Sequence, residues 1–230
     1  LYTGMRRNAL DHLDAAYGNG FSPLQTGCHV IIGDGLLGTD DVAVPINGKH
    51  FKEALIGRAI MDAEAIVTLN HFKCHECTGI GGALKNLGMG CGSTAGKRAM
   101  HHDGKPSVHQ DMCVGCGRCA KVCAHGAISF QGEKPHRKAF INHDLCVGCG
   151  RCVGICRDRG AILGPDSSND ALNEKISEYA WAVVKDRPNF HISLVMDVSP
   201  CCDCHAENDI PIVPDIGMFA SFDPVALDLA

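Results

Sequence analysis

Eight cysteines between residues 113 and 156 constrain this chain more than any other feature of its sequence. They form two runs with the same spacing, C-x2-C-x2-C-x3-C, at residues 113–123 and 146–156. Three thiolates so close together can surround one cubic iron–sulfur cluster, while the fourth cysteine of each run belongs to the other cluster. The pattern therefore predicts two 4Fe–4S clusters. Their ligands would be Cys113, Cys116, Cys119 and Cys156 for one, and Cys146, Cys149, Cys152 and Cys123 for the other.

A zinc site or a disulfide framework would account for the cysteine runs less well. A tetrahedral zinc site usually takes its cysteines as pairs separated by a longer loop, so a third cysteine this close has no role in it. Disulfide frameworks are typical of short secreted chains, whereas this chain has 230 residues. Residues 109–164 resemble the bacterial two-cluster ferredoxins. The proline that follows the fourth cysteine in those proteins is replaced by Ala124 in the first run and by Arg157 in the second.

The composition limits the class of protein. The formal net charge is −5, with acidic and basic residues mixed, so the chain has no basic stripe for binding nucleic acid. It contains no run of about 18 apolar residues that would span a membrane, and its start does not resemble a signal peptide. Fifteen cysteines, eight of them assigned to oxygen-sensitive clusters, favour a reducing, anaerobic cytoplasm. We expect both ends to continue in a longer protein.

Apolar segments alternate with helical patterns on both sides of the cysteine runs. Strands are predicted at residues 28–32, 42–46, 65–69 and 190–198, and helices at residues 5–17, 51–61 and 172–183 and from Asp223 onward. Alternating strands and helices are typical of an α/β domain with a mainly parallel sheet and flanking helices. Because the pattern resumes after the clusters, we expect a small ferredoxin-like α+β insert at 109–164. The α/β domain would then consist of residues 1–108 and 165–230.

A glycine-rich segment, residues 71–92, follows the third predicted strand. Ligands of open α/β sheets bind beyond the carboxyl ends of the strands, where glycines let backbone N–H groups approach an anion. We therefore expect a small-molecule or anionic ligand here, with His75, Lys73 and Lys85 as candidate catalytic residues. Asp34 and Asp215 each follow an apolar segment and are further candidates, although such a carboxylate can also cap a turn.

Most of the remaining cysteines lie in two loops that follow predicted strands. Cys74, Cys77 and Cys91 are in the first loop, and Cys201, Cys202 and Cys204 are in the second. Both loops would emerge at the same edge of a parallel sheet. This predicts a third metal site, zinc or another iron–sulfur cluster, with ligands among Cys74, Cys77, Cys202 and Cys204 and with His75 or Cys91 in reserve. The alternative is a set of partly buried free thiols. Cys28 is expected to pack in a strand, and Lys97 and Arg98 are expected to be solvated charges.

Several segments outside the cysteine runs resemble the iron–sulfur proteins grouped as domain of unknown function family 362. These segments are residues 34–36, 71–75, 78–90, 202–204, 214–217 and 221–226. The resemblance implies a cytoplasmic bacterial or archaeal protein with a ferredoxin insert and an additional N-terminal portion. It implies no substrate.

Two clusters in series are typical of a one-electron pathway, which leaves three hypotheses for the function. In the first, the clusters supply electrons to a site in the α/β domain, and the chain is an oxidoreductase. In the second, it is a non-catalytic electron-transfer subunit that docks to a redox partner protein. In the third, it handles metals or clusters.

Overall fold

The computed structural model describes residues 5–101, 105–123, 125–146, 151–156, 158–164, 169–204 and 209–230. Ala124, Cys149 and Arg157 lie outside the described residues. The chain divides into two compact units. One, here called the α/β unit, consists of Leu1–Lys97 and Asn169–Ala230, and the other, here called the inserted unit, is Arg98–Ser168.

Short elements of secondary structure follow one another along the described residues. In chain order they are α1 (Ala9–Gly18), α2 (Pro23–Thr26), β1 (Asp41–Pro45), β2 (Glu53–Gly57), α3 (Arg58–Met61), β3 (Ile66–His71), β4 (Lys73–His75), β5 (Gly79–Gly81), α4 (Ala83–Lys85), a π-helix (Asn86–Gly90), α5 (Thr94–His101), β6 (Ser107–Val108), α6 (Arg118–Val122), β7 (Ile128–Gln131), β8 (Lys138–Ile141), α7 (Arg151–Ile155), β9 (Ile162–Leu163), α8 (Asn169–Val184), β10 (Asn189–Val195), β11 (Gly217–Ser221) and α9 (Pro224–Leu229). None of these helices combines the length and the apolar character needed to cross a bilayer.

The α/β unit is organised around a three-stranded sheet with the order β11-β10-β3. β10 runs parallel to β3, with Asn189 opposite Ile66, and antiparallel to β11. The α/β class is therefore confirmed. Parallel pairing was expected to dominate, but among the described strands it is limited to β3 with β10, and the other five pairs are antiparallel.

Elements with a clear apolar face or a clear cap form where the sequence predicts them. α8 buries one face of apolar residues, which includes Ile176, Tyr179, Ala180 and Val183. α9 begins as expected, because the Asp223 side chain accepts hydrogen bonds from the N–H groups of Val225 and Ala226, and Pro224 occupies the first helical position.

Two predicted elements are wrong. Residues 28–32 form no strand, and Ile31 is 73% exposed. The helix predicted at residues 51–61 is replaced by β2 and the single turn α3. In β2 the buried residues Ala54 and Ile56 are two positions apart, which is the period of a strand, and β2 pairs with β1 in register.

A buried hydrogen-bond network crosses the pair formed by β3 and β10. His191 is fully buried, and its ring nitrogens lie 2.9 Å from Thr68 Oγ1 and 2.9 Å from Asn189 Oδ1. Asn70 donates to Thr68 Oγ1 at 2.8 Å and accepts from the side-chain amide of Asn86 at 2.9 Å. The network therefore links the central sheet to the π-helix. Burial lowers the pKa of His191 below its ordinary value of 6.5.

The stability of the α/β unit should consequently depend on pH. Because the pKa of His191 is lower in the folded state, its stabilising contribution is complete above the unfolded-state pKa of 6.5 and is lost as the pH falls through the folded-state pKa. Urea unfolding should give a lower free energy of unfolding at about pH 5.5 than at about pH 7.5. The fluorescence of Trp181, the single tryptophan, reports on this unit. His191→Gln should reduce the difference between the two pH values, and an unchanged difference would contradict the assignment.

The inserted unit contains two small antiparallel sheets, β6 with β9 and β7 with β8, and the helices α6 and α7, which pack together. Its core combines thiols with small apolar side chains. The buried members are Cys113, Cys119, Ala139, Ile141, Cys152, Ala161 and Ile162, and Cys146 and Cys156 pack against them. Cysteines from both runs therefore share one core.

Candidate functional site

A cavity in the inserted unit is lined by four cysteines. They are Cys113, Cys116, Cys119 and Cys156, the same four that the spacing assigns to one cluster. The rest of the wall is mainly apolar and includes Phe130, Ala139, Ile155, Ala161 and Ile162. Four soft sulfur donors in an apolar pocket suit a 4Fe–4S cluster, which is bound by four thiolates.

The loop that carries the first three of these cysteines depends on glycine. Gly115 and Gly117 adopt left-handed backbone conformations, with φ of 61° and 86°. A Cβ atom on Gly115 would lie 2.2 Å from the carbonyl oxygen of Arg137. Arg137 Nε in turn donates a hydrogen bond to the carbonyl oxygen of Gly115, at 2.9 Å. The backbone of residue 115 is thus fixed against Arg137, in a position that no other residue type can occupy without strain.

Hydrogen bonds also reach sulfur atoms of the cavity. The backbone N–H of Ala139 donates to Cys113 Sγ at 3.3 Å. Hydrogen bonds from the backbone and the side chain of Arg118 lower the pKa of the Cys116 thiol. Hydrogen bonds to the sulfurs are one of the factors that set the reduction potential of a cluster.

The second set of four cysteines is described in part, because Cys149 lies outside the described residues. Cys152 is buried and Cys146 packs against the same core. Cys123 Sγ accepts a hydrogen bond from the N–H of Ala127 at 3.4 Å.

A separate group of ionisable side chains gathers in the α/β unit around the loop that follows β10. Asp203 anchors this loop, because its Oδ2 lies 3.0 Å from Lys73 Nζ and 2.9 Å from His71 Nδ1. Lys73, only 4% exposed, also donates to the carbonyl oxygen of His71 at 2.8 Å. Burial raises the pKa of Asp203, but His71 and Lys73 outweigh this effect and hold it below its ordinary value. These contacts fasten the loop to β3 and β4.

The two cysteines on either side of Asp203 both face Lys85. Lys85 Nζ lies 2.9 Å from Cys202 Sγ and 3.9 Å from Cys204 Sγ. The hydrogen bond with Cys204, aided by Lys85 and opposed by burial, lowers the pKa of Cys202 to about 4. The hydrogen bond with Cys202, together with burial, raises the pKa of Cys204. The two sulfurs thus share one proton beside a fixed positive charge.

The glycine-rich segment packs against the loop that carries these cysteines. A Cβ atom on Gly81 would lie 3.5 Å from Cys202 Sγ. Ala83 and Leu84 follow Gly81 closely in the chain and begin α4. Their N–H groups donate hydrogen bonds to the side chain of Asp228 in α9, at 2.7 and 2.8 Å. At this helix start, a carboxylate of the protein itself takes the position of a bound anion. The sequence gives no sign of this contact, because Asp228 lies 145 residues from Ala83.

His75 completes a set of three side chains that can bind a metal. One ligand atom from each of His75, Cys202 and Cys204 lies within 4.8 Å of the others. A second set shares His75 and adds Glu76 and Cys77. Neither Glu76 nor Asp203 was a sequence candidate, although each adjoins residues that were.

Two cysteines expected at this site do not belong to either set. Among the described residues, no group of three potential metal ligands includes Cys74 or Cys91. Cys91 follows the π-helix, and burial raises its pKa to about 11 despite the charges of Lys97 and Arg187. It behaves as a packed thiol.

The remaining candidates have other surroundings. Asp215 Oδ1 accepts a hydrogen bond from the N–H of Asp197 at 2.8 Å, which joins the segment before β11 to the end of β10. Asp34 lies in the neighbourhood of Lys97, whose pKa is lowered by burial and raised in part by the charge of Asp34.

Two expectations for individual side chains are wrong. Lys97 is not a solvated charge, because its Nζ donates to the carbonyl oxygens of Gly90 and Gly92. Cys28 is exposed instead of packed, since the strand predicted around it does not form.

Comparisons with known proteins agree with the resemblance found in the sequence. A family model described as "Domain of unknown function (DUF362)" matches residues 2–230. The arsenate respiratory reductase iron–sulfur subunit ArrB of Shewanella sp. (strain ANA-3) is 43% identical over 42 residues, which cover 17% of this chain and 18% of that protein. The chain therefore matches less than a fifth of the length of that relative.

Proposed function

Since the chain belongs to the DUF362 family, whose description assigns no activity, we propose from its own residues that it is an iron–sulfur electron-transfer protein. The observation that carries this proposal is the apolar cavity lined by Cys113, Cys116, Cys119 and Cys156. The similarity of a 42-residue segment to the iron–sulfur subunit ArrB also supports it.

In this proposal the inserted unit holds two 4Fe–4S clusters. The four cysteines of the cavity bind one, and Cys146, Cys149, Cys152 and Cys123 bind the other. A 4Fe–4S cluster, when bound, accepts and donates single electrons. The apolar wall of the cavity limits the access of water to the buried Cys113 and Cys119, whereas Cys116 is exposed. The N–H of Ala139 stabilises negative charge on Cys113.

The charges of the inserted unit bear on its redox partner protein. Residues 98–168 contain ten Lys and Arg against six Asp and Glu, whereas the rest of the chain contains eleven against twenty. Two oxidised 4Fe–4S clusters, each bound by four thiolates, would add about four negative charges and offset this positive excess. The net charge of the loaded unit therefore favours neither an acidic nor a basic partner.

In the first candidate function, the clusters supply electrons to a substrate bound beside Lys85, Cys202 and Cys204 in the α/β unit, which makes the chain an oxidoreductase. The perturbed thiol pair favours this assignment, since such groups are frequent at functional sites. The similarity to a subunit of a reductase favours the second candidate, a non-catalytic subunit that passes electrons to its partner. Lys85→Met separates the two candidate functions. If the chain is an oxidoreductase, the variant should no longer reduce the substrate. If the chain is a non-catalytic subunit, the variant should still pass electrons to its partner.

Metal analysis of the anaerobically prepared full chain tests the proposal. We expect about eight iron atoms per chain, and Cys119→Ala should lower this to about four because one of the two clusters loses a ligand. The control Cys201→Ser, in the other unit, should retain all the iron. Zinc in place of iron in the wild-type protein, or an unchanged iron content in Cys119→Ala, would contradict the proposal.

A further inference from the structure

We propose that His75, Cys202 and Cys204 bind a single thiophilic divalent metal ion in the α/β unit. This site is separate from the two clusters proposed above and does not depend on them. Its donor set, two sulfurs and one imidazole nitrogen, is typical of zinc, which is therefore the probe of choice.

The distances between the donor atoms suit such an ion. All three lie within 4.8 Å of one another. In a tetrahedral zinc site with Zn–S of about 2.3 Å and Zn–N of about 2.0–2.1 Å, donor atoms are roughly 3.5–3.8 Å apart. Side-chain rotations that shorten the separations by at most about 1.3 Å would thus complete the site.

The backbone that carries the ligands is already fixed. Asp203 lies between the two cysteines, and its ion pair with Lys73 joins their loop to β4. β4 is also the strand that carries His75, two positions after Lys73. The same anchor therefore holds the cysteine loop and the histidine opposite each other, so the site needs no large rearrangement to bind a metal.

The electrostatics also favour a cation that binds two thiolates. Lys85 lies 2.9 Å from Cys202 Sγ, where it compensates part of the negative charge that two thiolates bring to a largely buried position. A sulfur atom can accept a hydrogen bond while it binds a metal, so Lys85 can remain in place. Cysteine binds a metal as the thiolate, so zinc binding should release protons and tighten as the pH rises.

His75 should be the weakest of the three ligands. Its Nδ1 accepts the N–H groups of Cys77 and Thr78, at 3.0 and 3.2 Å, and coordination through this atom has to replace both hydrogen bonds. Glu76 and Cys77 belong to the second set of ligand atoms around His75, so they are the nearest candidates for the fourth position.

Elemental analysis of zinc and iron in the same full-length, anaerobically prepared protein tests this site. After equilibration with zinc and removal of the excess, we expect about one zinc atom per chain. Cys202→Ser and Cys204→Ser should each lower the zinc to less than about a tenth of that value and leave the iron unchanged. His75→Ala should weaken zinc binding by about tenfold. Cys201→Ser is the matched control, because it changes an exposed cysteine of the same loop, and it should keep the zinc.

The proposal would be overturned by the absence of zinc from the wild-type protein, or by zinc that persists in Cys204→Ser. It would also be overturned if oxidation formed a Cys202–Cys204 disulfide equally fast with and without zinc, because the two cysteines would then be a simple dithiol. An iron content of about twelve that falls with Cys204→Ser would also overturn it, in favour of a third cluster. Circular dichroism of each variant confirms folding. Iron without zinc refutes this site alone, and zinc without iron refutes the two clusters alone.

Discussion

Replacing Gly88 by alanine should lower the free energy of unfolding of the α/β unit by about 3 kcal/mol. Gly88 lies in the π-helix, where a Cβ atom would be 2.2 Å from the carbonyl oxygen of Ile176 in α8. No rotamer relieves this contact, because the Cβ position is set by the backbone. Its neighbour Leu87 is fully buried, so the π-helix cannot move without disturbing the core.

Gly90, in the same π-helix, provides the matched control for Gly88. A Cβ atom there would meet no heavy atom within 4 Å, so Gly90→Ala should change the stability by less than about 0.5 kcal/mol. Urea unfolding followed by the fluorescence of Trp181, which lies on α8, measures both variants. Equal effects of the two substitutions would show that the contact between the π-helix and α8 is not as tight as described.

Replacing Gly115 by alanine should remove about half of the iron from the protein, because it distorts the loop that carries three ligands of one proposed cluster. The left-handed conformation of residue 115 costs a non-glycine residue roughly 1–2 kcal/mol. The contact of a new Cβ atom with the carbonyl oxygen of Arg137 adds to this cost. Iron analysis and the visible absorption of the clusters report the loss.

Gly154 allows the effect of Gly115 to be separated from a general loss of stability. It lies in α7 of the same unit, and a Cβ atom there would meet nothing within 4 Å. Gly154→Ala should keep the full iron content. If Gly115→Ala also keeps it, the left-handed turn is not required to hold a cluster.

The sequence correctly predicts the helices and strands whose apolar face packs against another element of the fold. β3, β10 and α8 form where the periodicity places them, because each has an apolar face that packs on another element. Residues 28–32 have a similar apolar composition but pair with no strand, and they remain irregular. Residues 53–57 follow a pattern compatible with a helix, yet they pair with β1. The preference of a short segment depends on its neighbours in space, which local patterns do not reveal.

The sequence predicts which residues belong to the candidate site, but not which of their side chains contact one another. Lys85 was expected to neutralise an external anion, and it instead contacts Cys202, which lies 117 residues further along the chain. Cys91 and Cys204 are similar in sequence terms, since both lie in loops that follow strands. Only the fold shows that Cys204 adjoins His75 and that Cys91 lies beside Lys97.

The parallel pairing of β3 with β10 sets an order of events during synthesis. Thr68 and His191, which lie opposite each other in the sheet, are 123 residues apart in the chain. At about 5–20 residues per second, a ribosome needs roughly 6–25 s to extend the chain from one to the other. The inserted unit emerges completely within this interval. It can therefore fold, and the proposed clusters can form, before β3 has its partner β10, and the sheet is complete only once β11 has also been made.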